Sequence, residues 1–347
     1  MYLETNYIKK IQKLTFQKIK DRLWNFFVLS IISKTWFYFY FYKSYWHSIL
    51  NSKIKINKIN YKSYISTKVN PGAGIGHQLA NYNSSIWYAK KFNLIHAHEV
   101  FPNKKWEKIL GFNSSIICSK DILNKQYKKI ELPIFKENNL TELSKIKKII
   151  QSYRNQKVIF FLEQDQPYTK QYEISDYIKE KFFSSKQRKR DKIMYKHKDI
   201  NIAVHIRLPM IIEDVVKRYN DANYAVNIIN HSFNMLENFL KKIITKKKIK
   251  IFIFTQFYDE KLKIFNKFKN VEYCYKISPY ESFINLIHAD VLLTSKSSFS
   301  YKAGLINKGI KISPKNFWHG YPWNDKNWIL ADTSGKLLNS SKKIILK

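Results

Sequence analysis

Apolar and polar positions alternate along the chain in blocks whose period changes from two to about three and a half. Tyr64 to Val69 reads as a strand, and Gln78 to Phe92 carries apolar residues at helical spacing, with Pro71-Gly72-Ala73-Gly74-Ile75-Gly76 between them. Strand, glycine-rich loop and helix therefore follow one another. Leu94 to Ala97 resumes as a short strand and Lys157 to Leu162 as a second apolar one. Ser184 to Asp199, with Lys186, Arg188, Lys189, Arg190 and Lys192, is polar and basic and reads as a linker. Beyond it the pattern predicts strands over Ile200 to Ile206, Ile249 to Phe254, Val271 to Cys274, Val291 to Thr294 and Ile310 to Ile312. Helices are predicted over Tyr224 to Ile244, Asp259 to Phe268, Pro279 to His288 and Phe299 to Ile306. Such alternation implies right-handed crossovers and parallel sheets covered on both faces. Two sheets in one chain imply a cleft between them.

The first sixty residues differ. Lys9, Lys10, Lys13, Lys18 and Lys20 precede an apolar, aromatic run from Leu23 to Tyr42, about the ~20 residues that span a bilayer. Lys34 inside the run, and Trp24, Trp36, Tyr38, Tyr40 and Tyr42 along it, suit a membrane interface better than hydrocarbon. No secretory signal pattern is expected. A buried or partner-covered helix, a peripheral membrane anchor and, least favoured, a true span are the three readings, basic residues beside aromatic ones suiting anionic headgroups. The expected divisions are 1–60, a basic and aromatic helical extension; 61–190, an N-terminal α/β domain; 191–335, a C-terminal α/β domain; and 336–347, a basic tail.

Composition adds little to the fold and something to the function. With 347 residues, about two domains are expected. The 62 Lys+Arg against 26 Asp+Glu leave +36, which points to nucleic acid, anionic membrane or phosphorylated substrates. Lysines run through nearly every segment instead of clustering with aromatics, so no specific nucleic-acid partner is expected. Cys118 and Cys274 are far apart, which argues against a disulfide framework and a zinc cluster and fits a reducing compartment, the cytoplasm.

In open parallel sheets ligands bind beyond the carboxyl ends of strands, and four segments qualify. Gly72 to Gln78 would let backbone N–H groups approach a phosphate or sugar, although neither a dinucleotide fingerprint nor a P-loop is present. A tight turn that needs glycines for its own geometry is the alternative. His205-Ile206-Arg207 would place two cationic groups on one side of a strand end, Arg207 offering a planar fork to phosphate oxygens. An Arg207 paired with Glu213 or Asp214 is the structural alternative. Thr294 to Ser300 gathers hydroxyls at a helix start, as a cap or as a phosphate cradle. Thr255-Gln256 is a weaker fourth. No Asp-x-Asp occurs, Glu163-Gln164-Asp165 being the nearest substitute. A diphosphate leaving group would then be neutralised by Arg, Lys and helix N-termini.

These residues, in order, resemble the motifs of bacterial α-1,2-fucosyltransferases. Gly74-Ile75-Gly76-His77-Gln78 with Asn81 is similar to Gly-x-Gly-Asn-Gln, and His205-Ile206-Arg207 to the start of His-x-Arg-Arg-Gly-Asp. Ser297-Ser298-Phe299-Ser300 with Ala303 is similar to Ser-x-Phe-Ser-Trp-Trp-Ala, and Pro314-Lys315 with Trp318 to Pro-x-x-Trp. The resemblance covers stretches near 70–100 and 200–320. It departs at Leu208-Pro209-Met210, where the second Arg and the Asp are missing, at His77 in place of Asn, and at Tyr301-Lys302 in place of Trp-Trp, which suits a distant branch.

What the resemblance implies is a GT-B-like α/β fold of two Rossmann-like parallel-sheet domains with an interdomain cleft. It implies GDP-fucose as donor, a glycan hydroxyl as acceptor, no metal or other cofactor, and inversion at the anomeric carbon. By position, Arg207 would grip the diphosphate with His205 in support. Ser297, Ser298, Phe299 and Ser300 would line the donor pocket, with Gly74, Gly76, His77 and Gln78 facing it; Thr255 joins them by its strand end. Asp165, Glu99 and His77 are candidates for the base. A different nucleotide sugar, or a non-enzymatic basic protein binding membrane or nucleic acid, are the alternatives.

Overall fold

The computed structural model describes residues 19, 23–51, 61–70, 72–113, 116–163, 169–208, 223–322, 325–338 and 343–346. Two parallel sheets, one in each half of the chain, organise it, in the α/β arrangement that the alternation implies. The first has β1 (Tyr64–Thr67), β2 (Ile95–His96), β3 (Lys128–Glu131) and β4 (Val158–Leu162) in the order β2-β1-β4-β3. β4 is buried at every residue, so it reads as a continuous apolar run, whereas edge strand β3 has the sequence Lys-Lys-Ile-Glu and no such signal. α1 (Lys43–Leu50) precedes this sheet. α2 (Ile75–Phe92), α3 (Lys104–Leu110), α4 (Ser119–Asn124), α5 (Leu140–Ser152) and α6 (Ser175–Ser184) accompany and follow it. α2 is buried along most of its length, and Asn93 ends it in the left-handed conformation, φ 53°.

The second sheet contains β5 (Ile200–His205), β7 (Ile249–Phe254), β8 (Val271–Cys274), β9 (Val291–Leu293), β10 (Ile310–Pro314) and β11 (Trp328–Ala331). Their order is β11-β10-β9-β5-β7-β8, all parallel. Counted along the chain within this half, that is the 3-2-1-4-5-6 order of a doubly wound nucleotide-binding sheet, with its switch point between β5 and β9. α7 (Tyr224–Leu240), α8 (Pro279–His288) and α9 (Ser298–Ile306) complete it. The apolar pattern predicts a helix to Ile244. The helix stops at Leu240, because Ile243–Ile244 forms β6, which pairs with β12 (Ile344–Ile345) of the basic tail. Glu260–Lys267 is a 3₁₀ helix, its start capped by Asp259 accepting from the Lys261 N–H at 2.9 Å.

Two regions are held by specific contacts. The basic stretch after α6 is pinned at both of its ends. Arg188 lies 3.5 Å above the Phe182 ring, donates to the Ile109 carbonyl and pairs with Asp191 at 3.1 Å, while His288 also meets Asp191 at 3.2 Å. A guanidinium and its carboxylate thereby tie the two halves together across the supposed linker. The N-terminal aromatic run, in turn, is broken into π-helical turns (Trp24–Ile31), 3₁₀ turns (Ile32–Lys34 and Tyr38–Phe41) and α1. The Tyr38 and Tyr42 hydroxyls bond each other at 2.7 Å. Ser44 donates to the Glu131 carbonyl of β3, and His47 stacks on Tyr153 at 3.8 Å and bonds Ser152 of α5. The extension is thus docked on the first sheet by its polar tips. Among the described residues no helix is long and apolar enough to cross a membrane.

Candidate functional site

At a switch point neighbouring crossovers leave in opposite directions, so the strand ends are uncovered and loops converge there. β5 ends in His205 and β9 runs into Thr294-Ser295-Lys296. The His205 Nδ1 and Ser295 Oγ sit 2.8 Å apart, joining the two strand ends. His205 is buried beneath Phe299, ring centres 5.4 Å apart. Burial, with the Arg207 charge adding to it, lowers its pKa to about 3, so the imidazole is neutral near pH 7. Arg207, two residues on, is exposed. A neutral, fixed histidine beside an exposed guanidinium divides the labour: the first positions the strand end and the second offers charge, while Glu213 and Asp214, the carboxylates offered as its partners, lie outside the described residues.

α9 begins at the same edge. Ser297 is its N-cap, the hydroxyl accepting from the Phe299 N–H at 3.3 Å. Ser300 is wholly buried, and its hydroxyl accepts from the Ser295 N–H, so it braces the loop. Phe299 packs among His205, Phe283 and Trp106, the last from α3 of the first half. Thr255, at the end of β7, is buried and makes no hydrogen bond through its hydroxyl.

The glycine loop meets this edge directly. A Cβ on Gly76 would lie 2.7 Å from the Ser298 Cβ and 2.9 Å from its carbonyl carbon, so only glycine lets the N-termini of α2 and α9 approach this closely. A Cβ on Gly74 would meet nothing within 4 Å. Gln78 turns back, its amide donating to the Ala73 carbonyl at 2.8 Å. The two α/β halves thus meet at a seam where two helix N-termini, each presenting free N–H groups, face one region.

Beside the seam, beyond β9, β10 and β11, lies a cavity of about 210 Å³ walled by Lys296, Lys315, Asp332, Thr333 and, from α7, Asn227 and His231. The His231 Nε2 donates to the Asp332 carbonyl at 2.7 Å, which joins helix to strand end. Asp332 Oδ1 accepts from Ser334 N–H, Ser334 Oγ and Lys336 N–H. The volume is below the roughly 300–1,000 Å³ that encloses a whole drug-sized ligand, so it suits one part of a larger molecule, such as a base with its ribose.

On the other side of the seam, Thr67, Asn70, Gln78, Asn81 and Glu99 face a narrow void of about 10 Å³. Burial pushes the Glu99 carboxyl above its usual range, and hydrogen bonds from Ser119 and, at 3.5 Å, Ser66 partly offset this. Asn81 is buried with both amide atoms unbonded. His77 stands near His319, whose pKa burial lowers to about 2, with the charges of Lys302 and His77 acting in the same direction. Asp165 lies outside the described residues. Among the described residues no group of three or more His, Cys, Asp or Glu could hold a metal ion.

No family model matches the chain, and no curated protein matches it. Several solved structures align with it at low similarity. An α-1,6-fucosyltransferase NodZ co-crystallised with GDP aligns with a TM-score of 0.45 at 13% identity, over 75% of this chain and 97% of its own. POFUT1 in complex with GDP-fucose gives 0.47 at 11% identity, over 73% and 97%. The fucosyltransferase NodZ from Bradyrhizobium gives 0.42 at 12%, over 72% and 94%. What each of these binds belongs to that protein.

Sequence reasoning passed over Asn227, His231, Asp332 and Thr333. Asn227 and His231 sit four apart on an amphipathic helix, and Asp332-Thr333 follows a strand, β11, that the pattern does not predict. The one available signal is the rule that had already singled out the other strand ends.

Proposed function

We propose that the chain is a glycosyltransferase that takes its sugar from a nucleotide-sugar donor, GDP-fucose by preference, and passes it to a glycan hydroxyl. The observation that carries this reading is the meeting, at one switch point, of the His205–Ser295 bond, the exposed Arg207 and the N-termini of α9 and α2. Such an edge accumulates positive potential without a metal ion, from a guanidinium and oriented N–H groups. The diphosphate lies against Arg207 and the start of α9, and the nucleoside enters the 210 Å³ cavity. There Asp332 offers an acceptor to a base that carries donors on its edge, as guanine does. Lys296 and Lys315 on the same walls supply charge where the family pattern has a second arginine.

In the transfer step the acceptor oxygen attacks the anomeric carbon from the face opposite the diphosphate, and the bond to the leaving oxygen breaks with inversion. Its electron pair leaves with GDP, where Arg207 stabilises the charge. The hydroxyl proton goes to Glu99, the half-buried carboxylate on the acceptor side, whose raised pKa suits a general base. Asn81, with both amide atoms unbonded, orients the acceptor.

Purified protein should hydrolyse GDP-fucose slowly in EDTA, and Arg207→Ala should lower that rate at least ~10²-fold, as expected for loss of a preorganised charge stabiliser. GDP should raise the melting temperature more than UDP or ADP at equal concentration. Equal shifts from all three would remove the donor assignment, and an undiminished Arg207→Ala would remove the mechanism.

A further inference from the structure

The proposed transferase site leaves unexplained why the N-terminal extension keeps several large apolar side chains outside. Trp36 is 77% exposed, Leu50 79% and Phe26 68%, although burying such residues is a main source of folding energy. They are not scattered. Trp36 meets Tyr40 at 5.9 Å and Tyr40 meets Trp46 at 5.4 Å, so three exposed aromatic rings form one continuous strip. Trp46 and Leu50 are one turn apart on α1 and lie on one face, which extends the strip with aliphatic surface. The inner side of the same segment is well fastened, with Val28, Ile32, Tyr38 and Phe39 buried and Ser44 and His47 bonded to the first sheet. The exposure is therefore a property of a held surface.

Charge decides what such a surface fits. From Arg22 to His98 the sequence contains no Asp or Glu, while Lys34 and Lys43 lie exposed in the extension itself. Lys9, Lys10, Lys13, Lys18, Lys20 and Arg22 precede it, against Glu4 and Asp21. Indole and phenol rings favour the headgroup region of a bilayer, and lysines beside them are drawn to anionic lipid. A protein partner would be met by a mixture of charges. An anionic lipid leaflet asks for one sign and for amphipathic rings, which is what this strip offers.

We infer that residues 23–50 form a monotopic platform that rests the protein on an anionic membrane surface, with Trp36, Tyr40, Trp46 and Leu50 entering the headgroup layer and the lysines outside it. The acceptor is then presented at a lipid surface. This placement is independent of the donor chemistry, which can fail without affecting it.

The test is co-sedimentation of the full chain with vesicles of phosphatidylcholine containing about a third phosphatidylglycerol, against phosphatidylcholine alone. Binding should be at least ~10-fold stronger to the anionic vesicles and should be largely lost in about 1 M NaCl, where the screening length is near 3 Å. The variant Trp36→Ser/Leu50→Ser should bind at least ~10-fold more weakly, with unchanged melting temperature and unchanged response to GDP. Ile345→Ser, an exposed apolar residue on β12, should bind as the parent does. Three results would overturn the inference: no sedimentation of folded protein with anionic vesicles at low salt, undiminished binding by the double variant, or a stable dimer in solution that the double variant converts to monomer.

Discussion

Gly76 and Gly74 stand two residues apart in one loop, yet the structure gives them different work, and exchanging each for alanine separates the two. At Gly76 the new Cβ would come within 2.7 Å of the Ser298 Cβ and 2.9 Å of the Ser298 carbonyl carbon. Carbon atoms prefer about 3.5–4.0 Å, so the starts of α2 and α9 must part by close to 1 Å. The second contact is with backbone, which no rotamer change relieves. If the seam stays shut, the strain is that of an overpacked core, about 1–3 kcal/mol, and at ~2–4 °C per kcal/mol the melting temperature falls by roughly 2–12 °C. If the seam opens, stability is spared and the reacting groups are displaced, which costs about 10²-fold in turnover for a 1 Å error. Gly74 is the control. Its φ is −64° and a Cβ there meets nothing within 4 Å, so alanine costs only the poorer N-cap, ~0.5 kcal/mol. Thermal unfolding and donor hydrolysis of the two variants, measured side by side, give the answer. Gly76→Ala behaving like Gly74→Ala in both assays would refute the contact between the two helix starts. A Gly74→Ala variant that melts normally but loses GDP response would instead assign the ligand's approach to that glycine.

Other expectations follow from single groups. Glu99→Gln should lower transfer by ~10²–10⁴-fold and abolish the rising limb of the pH–rate profile. In the parent that limb should lie above the ordinary carboxyl range because burial raises Glu99; a limb that survives the substitution would remove Glu99 as base. Asp332→Asn keeps the Oδ1 that receives Ser334 and Lys336, so the fold should hold while the preference for GDP over other nucleotides falls; unchanged preference would detach Asp332 from the base. His205 and His319 are buried with pKa values lowered to about 3 and about 2, so the unfolded chain binds more protons than the folded one below pH ~6.5. Each should then cost up to ~1.4 kcal/mol per pH unit as pH falls below ~6.5 and nothing above it, a slope that melting curves between pH 7.5 and 5.5 would reveal.

How far the sequence discloses this arrangement depends on how local each signal is. β5, β7 and β4 are central strands buried on both faces, and uninterrupted apolar runs expose them. The Gly-rich turn and the His205-Ile206-Arg207 strand end are legible for the same reason, since a switch-point ligand edge is written in residues next to strands. The edge strand β3 is hidden because its outer residues answer to solvent. The N-terminal run misleads, because aromatic density imitates a single apolar helix while Thr35 and ring packing divide it. The contact of Gly76 with Ser298, 222 positions apart, has no periodic signature at all, and the joining of His231 to Asp332 comes from α7 being laid across β11. Pairings made by tertiary docking are invisible to any window of sequence.

Tyr301-Lys302, on α9, hold the seam, and their chemistry ties the site to pH. Tyr301 donates to the Gly320 carbonyl at 2.6 Å and stacks on His319 at 4.8 Å, while the buried Lys302 ammonium donates to the Gln171 side-chain oxygen. Gln171 also faces the His319 Nδ1 at 3.3 Å. A buried cation makes its neighbours resist a second positive charge. His319 is accordingly held neutral, first by burial and then by Lys302. Lys302→Met removes the second cause and keeps the first, so the His319 pKa should rise toward its ordinary value without reaching it. The same change strips Gln171 of a donor, at about 1–3 kcal/mol whatever the pH. The variant should therefore melt lower than the parent at pH 7.5 but lose less further stability on acidification, because a folded-state pKa nearer 6.5 narrows the gap with the unfolded chain. Parallel pH dependences in parent and variant would mean that Lys302 exerts no charge on His319, and that the seam is held by shape alone.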